Sequence, residues 1–446
     1  MTTSQRAVTA GAARPSRRHG RKPRAGCARC LTGRDRECGV APESGFALVI
    51  TLTLLAMLVL VVFALGTLVR VDGQVSAASA AQTKARQHAL LGLNLALSEL
   101  RTNAGIANNV TAMAGITGLG ASAANSTRHW CGVWNSSGTF VTWLCSGASN
   151  AIPPPVPAAN AVVLVDSGSV GAATSNSEHV LATKIPIAVP EVPGRPATTT
   201  TVGRYAYWIG DEGVKISAYA SGAAFNFVFP SAPSALSTLG GAASGYAPKL
   251  PAVISYEQLK LLPTPGAALA ASVMNDSFHH VTLTSMNLVS PGVLNAGSIN
   301  LNTNSAYVWR SICETYNVRQ PGAPIPAANL TATINSIANN IAASSSGKSA
   351  FGPFTSVSAF GSSTLLANAL SGTGVTPAQF MSAMAPMLGA RSDTFRIRAY
   401  GEAVSPFDAA KIEATAYCEA IVQPNPNALG QRYIVSYFRW LGPADI

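Results

Sequence analysis

Residues 46–69 are 24 consecutive positions without a charged side chain, almost all of them Leu, Val, Ala, Ile, Phe or Met. About 20 apolar residues in a helix cross the hydrocarbon core of a bilayer. An export signal has a shorter core and ends at a small-x-small cleavage site. The junction Thr67-Leu68-Val69-Arg70 has no such site, so the sequence predicts a retained transmembrane helix. A buried core helix is the competing reading, and a run this uniformly apolar argues against it.

The flanking charge predicts the orientation. Ten of the chain's 30 Lys and Arg residues, but only three of its 19 acids, lie in residues 1–45. Cationic flanks stay on the cytoplasmic side. The chain is therefore expected in the inner (cytoplasmic) membrane as a single-pass protein, with its amino terminus cytoplasmic and its head extracytoplasmic. The same asymmetry accounts for seven of the eleven formal positive charges. The remaining body has no Lys/Arg cluster, which argues against a nucleic-acid partner.

Residues 70–103 continue with helix-favouring Ala, Leu, Gln, Lys and Glu. Leu90, Leu93, Leu97 and Leu100 recur at helical spacing, predicting one apolar stripe along a stalk helix. An unbroken helix from Phe46 through this stalk would be about 87 Å long. Residues 104–446 are poor in charge and rich in Ala, Ser, Gly and Thr, which predicts an α+β head, β-rich with a small helical insertion. "AIPPPVPAAN" (151–160) and "PIAVPEVPGRPATTT" (186–200) read as extended Pro-rich connections. "RYAYWIGDEGVKI" (204–216) alternates like a strand and suggests a hairpin around Asp211-Glu212-Gly213. Alternation also predicts an antiparallel meander over about 394–440, with Phe395, Ile397 and Ala399 sharing a face and Ile412, Ala414, Ala416, Cys418, Ala420 and Val422 on one side of the next strand. Two helical patches fall within about 325–391, one of them starting at Thr376-Pro377.

Gly45-Phe46 sits where the polar leader meets the apolar run. This junction resembles a type IV pilin-like (class III) signal. The resemblance implies removal of a basic leader, residues 1–45, by a prepilin peptidase that cuts after Gly45 and methylates Phe46. Most pilins carry Glu at the fifth mature position, where this chain has Ile50. That departure is similar to minor, tip-located pseudopilins of the PilX and general-secretion K types.

A broader resemblance rests on "SGFALVITLTLLAML" (44–58), "YAYWIGDEGVKISA" (205–218), "GSINLNTN" (297–304), "LGARSDTFRIRAYGEA" (388–403), "KIEATAYCEAIVQ" (411–423) and "RYIVSYFRWLGPADI" (432–446). On these the chain resembles the Verru_Chthon cassette protein A family of pilin-like membrane proteins. The resemblance implies a structural subunit of an envelope filament or secretion-type assembly. Its partners would be the lipid bilayer, a prepilin peptidase and other pilin-like subunits from the same cassette. It implies no reaction and no required cofactor. The "DEG-K" and "INLNT" patterns also resemble the K-type pseudopilin, and because those bind calcium, Asp211 and Glu212 become calcium candidates. A hairpin turn with solvated acids explains the same pair. The other readings of the whole chain are a membrane-anchored binding protein or adhesin that never polymerises, and an anchored envelope enzyme.

No Gly-x-Ser-x-Gly elbow or His-Glu-x-x-His helix is present. His279-His280 is the one adjacent histidine pair, and no third ligand lies near it in sequence, so it reads as structural. Cys27-x-x-Cys30 and Cys38 fall in the leader. Cys131 and Cys145 flank a short hairpin and are expected to form a disulfide outside the cytoplasm. Cys418, on an inward face, is expected to stay a free buried thiol.

Overall fold

A computed structural model of the chain describes residues 44–104, 109–119, 126–155, 160–170, 178–192, 195–217, 278–282, 299–341, 353–405, 407–424 and 433–446. The leader through residue 43, with Cys27, Cys30 and Cys38, lies outside the described residues. The chain divides into two compact units, Met1–Arg70 and Val71–Ile446.

Helix α1 runs Ser44–Glu99 and closes in a π-helical turn, Leu100–Ala104. The end falls where the sequence placed it, within the usual latitude of a helix boundary. Every side chain from Phe46 to Ala80 is exposed, including the whole apolar run. Burial begins at Ala81 and follows Ala85, Ala89, Leu93, Ala96, Leu97 and Leu100. The expected leucine stripe is therefore corrected at its start: Leu90 is 37% exposed, and alanines take the closest positions.

The reason lies in the sheet beneath. Strands β1 (Val110–Met113), β2 (Cys131–Trp134) and β3 (Phe140–Trp143) form a small antiparallel sheet. β4 (Ala161–Val165) leads into a one-turn helix, α2 (Ser167–Val170), and pairs with β5 (Val180–Thr183). β6 (Ile185–Val192) and β7 (Arg195–Asp211) enter a five-stranded antiparallel sheet, and β8 (Ile216–Ser217) follows. β9 (Val281–Thr282) pairs parallel with β8. β10 (Ile299–Asn300) precedes the helices α3 (Ala306–Arg319), α4 (Ala327–Asn340), α5 (Val357–Gly361), α6 (Thr364–Ala369) and α7 (Pro377–Met384). β11 (Leu388–Gly389) then pairs parallel with β10. β12 (Phe395–Ser405), β13 (Asp408–Pro424) and β14 (Tyr433–Leu441) close the chain as the expected meander. The main sheet has the order β14-β13-β12-β7-β6.

One face of this sheet lies against α1. Phe395, Ile397, Ala399, Ala416, Cys418, Ala420 and Val422 join Ala85, Ala89, Leu93 and Leu100 in one core, as the alternation predicted, but Ile412 at the start of that face is 44% exposed and Ala414 is half-buried. Gly401 of β12 makes the close approach possible: a Cβ there would collide with the α1 backbone at Ala85 and Ala89. Gly203 of β7 does the same under His88, whose Nδ1 is 2.8 Å from the Glu402 carbonyl oxygen. The opposite face carries a second and larger core that includes Trp130, Trp134, Trp143, Trp208 and Trp309.

Three other expectations are corrected. The Pro-rich stretch 186–200 is not a connection but the β6–β7 hairpin. β6 is the sheet's edge, where a residue lacking an N–H is tolerated. Asp211 ends β7 without a hairpin, because the chain turns instead toward β8 and its parallel partner β9. The helical region begins earlier than 325, with α3, whose first turn is capped by the Ser305 hydroxyl accepting from the Val308 N–H. Thr376 and Gln379 form a capping box at α7, as Thr376-Pro377 suggested.

Candidate functional sites

Gly45 and Phe46 lie at the start of α1, with the Phe46 side chain exposed. The only hydroxyls inside the apolar run are on Thr51, Thr53 and Thr67. They donate to the carbonyl oxygens of Leu48, Ile50 and Ala64 at 2.8–3.0 Å. No side chain in this run leaves a hydrogen-bonding group that demands water, which is the condition a bilayer imposes. Among the described residues, one helix is long and apolar enough to cross a membrane.

Asp211 and Glu212 are buried, not solvated. Asp211 accepts from the Thr111 hydroxyl at 2.9 Å and from the Gly213 N–H at 2.8 Å. Burial without a paired cation pushes its carboxyl up to about 6. Glu212 accepts from Lys215 Nζ at 2.6 Å, Arg396 Nε at 2.8 Å and the Thr282 hydroxyl at 2.5 Å. Burial alone would raise it, but Arg396 and Lys215 overcome that and hold it at about 2. Lys215 and Arg396 Nε both bind Glu212 Oε1 and the Thr282 hydroxyl binds Oε2, so the pair is a buried, hydrogen-bonded one in place of the solvated turn.

Glu212 belongs to a larger buried array. β-register places Arg398, Glu419 and Arg439 in line across β12, β13 and β14. Glu419 takes Arg396 at 3.1 Å, Arg398 at 2.9 Å and Arg439 at 3.0 Å. Burial opposes its charge, but these three guanidiniums hold its carboxyl far below the usual range. The Phe278 ring receives Lys215, Arg396 and Arg398 over its face at 4.8–5.4 Å. At the far end of β12, Glu402 is paired with Lys184 at 2.8 Å and with Arg204, and accepts from the Tyr400 hydroxyl at 2.6 Å. Asn300 and Asn302 complete the polar interior. Asn300 Nδ2 donates to Thr111 O and Ser392 Oγ, and Asn302 Nδ2 donates to Phe354 O. Asn300 ties β10 to β1 and to Ser392, and Asn302 ties the segment after β10 to Phe354.

The histidine pair is not isolated. The fold brings His129 and Glu178 against His279. The His129 and His279 rings stack with centroids 3.5 Å apart and nearly parallel planes. His129 Nε2 lies 2.9 Å from Glu178 Oε2, and His279 Nε2 lies 2.8 Å from the Glu178 carbonyl oxygen. Arg128 holds the other Glu178 oxygen at 3.0 Å. Burial keeps both imidazoles neutral, well below their usual range, and nearby Arg128 and Lys215 reinforce this at His129. His280 instead meets the Ser305 hydroxyl at 2.9 Å and is lowered to about 4 by burial. No local sequence signal marks this cluster, because its members come from segments about 50 and 100 residues apart.

Cys131 and Cys145 stand as free thiols. The hairpin between them forms, its tip held by Asn135 Oδ1 accepting from the Ser137 and Thr139 N–H groups. The cysteines nevertheless face different cores, Cys131 toward α1 and Cys145 toward the tryptophan-rich side. The expected disulfide is therefore not formed in this structure. Cys418 is a free buried thiol, as expected.

No family model and no curated protein matches the chain. Among solved structures, it is similar to a chain of the GspK-GspI-GspJ complex from the enterotoxigenic Escherichia coli type 2 secretion system. The identity is 14%, with 58% of this chain and 84% of that chain covered, at a TM-score of 0.30. That score is below the level that marks a shared fold.

Proposed function

We propose that the chain is a pilin-like structural subunit of the cell envelope, of the minor-pseudopilin kind and of the Verru_Chthon cassette protein A type. The observation that carries this reading is the dual character of α1. Its first part is wholly apolar, exposed and internally satisfied, while its later part is buried on a five-stranded sheet. Such a helix suits lateral packing with other pilin-like helices in the inner membrane and display of a head outside. Ile50 in place of a buried carboxylate suits a subunit at a tip or in a small complex, since it carries no charge that needs a partner in lipid. The role is structural rather than catalytic. In support, Glu212, Glu419 and Glu402 are committed to ion pairs inside the head.

The test is mass spectrometry of the amino terminus after expression beside a prepilin peptidase. A chain beginning at N-methylated Phe46 is expected, and Gly45→Leu should block it. An intact leader would overturn pilin-type processing and favour a plain anchored binding protein.

A further inference from the structure

We propose that His129, Glu178 and His279 form a binding site for one zinc-class divalent cation in the head. Each residue offers one ligand atom, and these three atoms lie within 4.8 Å of one another. A tetrahedral zinc site needs its ligand atoms about 3.3 Å apart, from bonds near 2.0–2.1 Å, and an ion lies in the plane of each imidazole, so the two rings must tilt out of their parallel stack to close it. Two imidazoles and one carboxylate are the donor set of a zinc-class ion, not of calcium or magnesium.

The protonation pattern provides an independent reason. The hydrogen-bond partners of both Nε2 atoms are oxygens that can only accept, a carboxylate and a backbone carbonyl. Both Nε2 atoms therefore donate, which leaves a bare lone pair on each Nδ1. Both Nδ1 atoms are buried and without a partner. Two such nitrogens on stacked rings are a costly arrangement for a purely structural cluster. A cation satisfies them, while Nε2–H bonds to oxygen are what orient metal-binding histidines elsewhere.

The surroundings set access and strength. Both histidines are almost wholly buried, but the Glu178 side chain is 25% exposed and opens the site to solvent on one side. Arg128 binds Glu178 Oε1 and His129 Nε2–H binds Oε2, so Glu178 reaches an ion on the Nδ1 atoms only by releasing its contact with His129. The charges of Arg128 and Lys215 oppose a cation, so the site is expected to exchange its ion with buffer rather than trap it.

The experiment uses the full chain in detergent, with Cys27, Cys30 and Cys38 changed to Ser so that leader thiolates cannot bind metal. Metal-stripped protein is titrated with Zn2+ by calorimetry, and with Co2+ by visible absorption. One ion per chain is expected, with a Co2+ spectrum lacking thiolate charge-transfer bands. His279→Gln and Glu178→Gln should each weaken binding by at least about tenfold. His280→Gln, which alters the adjacent ring, should leave it unchanged. Circular dichroism of each variant separates lost ligation from lost folding. Absence of stoichiometric binding to the parent, or equal binding by folded His279→Gln and Glu178→Gln, would overturn the site.

Discussion

Asp211 and Glu212 are neighbours with opposite proton affinities, and the difference comes from what each carboxylate touches. Asp211 meets neutral donors and is raised to about 6, whereas Glu212 meets two cations and is held at about 2. For Glu212 the folded value lies below the unfolded one. Its contribution is thus present above about pH 4.5 and is lost as pH falls through about 2. Removing one member of a buried pair costs about 3–5 kcal/mol. Glu212→Gln should show that loss in urea unfolding at neutral pH, with the gap to the parent narrowing below about pH 4.5. Asp211 has the reverse sign, because its folded value is raised. Its contribution is full below about pH 4 and is lost as pH rises through about 6. The parent should therefore gain stability on acidification from about pH 7 to 5, and Asp211→Asn should lack that gain. Sequence alternation found this acidic pair but left it in solvent, since its partner Arg396 lies 184 residues away.

At the scale of elements, α1 and the main sheet fit because small residues meet small residues. Ala85 and Ala89 lie over Gly401, and His88 lies over Gly203. Overpacking such a contact costs about 1–3 kcal/mol. Gly401→Val should fall at or above the top of that range in chemical denaturation, since the obstacle is helix backbone rather than a movable side chain. Leu90→Ser, on the half-exposed flank, should cost less than about 1 kcal/mol. The meander of β12, β13 and β14 was legible because one face alternates cleanly into apolar residues. Its other face holds Arg396, Arg398 and Glu419, which the same alternation would assign to solvent. The β6–β7 hairpin was hidden by its prolines, which suit an edge strand as well as a loop.

At the scale of the molecule, the division at Arg70 separates a unit with an exposed apolar helix from one that contains both cores. A fragment covering Val71–Ile446 should therefore fold and remain in solution without detergent, with a cooperative thermal transition by circular dichroism. The full chain should instead stay with membranes through alkaline carbonate extraction and enter solution only with detergent. Aggregation of the fragment, or release of the full chain by carbonate, would count against the membrane-anchored reading. The chain's own composition supports that partition. Residues 1–45 hold ten of the 30 Lys and Arg residues against three acids, and residues 46–69 hold no charge.

The sequence alone determined the apolar helix, its continuation to about residue 103 and the closing antiparallel strands. These follow from periodicity and composition, which are properties of neighbouring residues. Only the tertiary structure decided which charges are buried, which cysteines lie apart and which histidines meet. Those outcomes depend on groups tens to hundreds of residues apart being brought within hydrogen-bond distance, and local spacing carries no record of that approach.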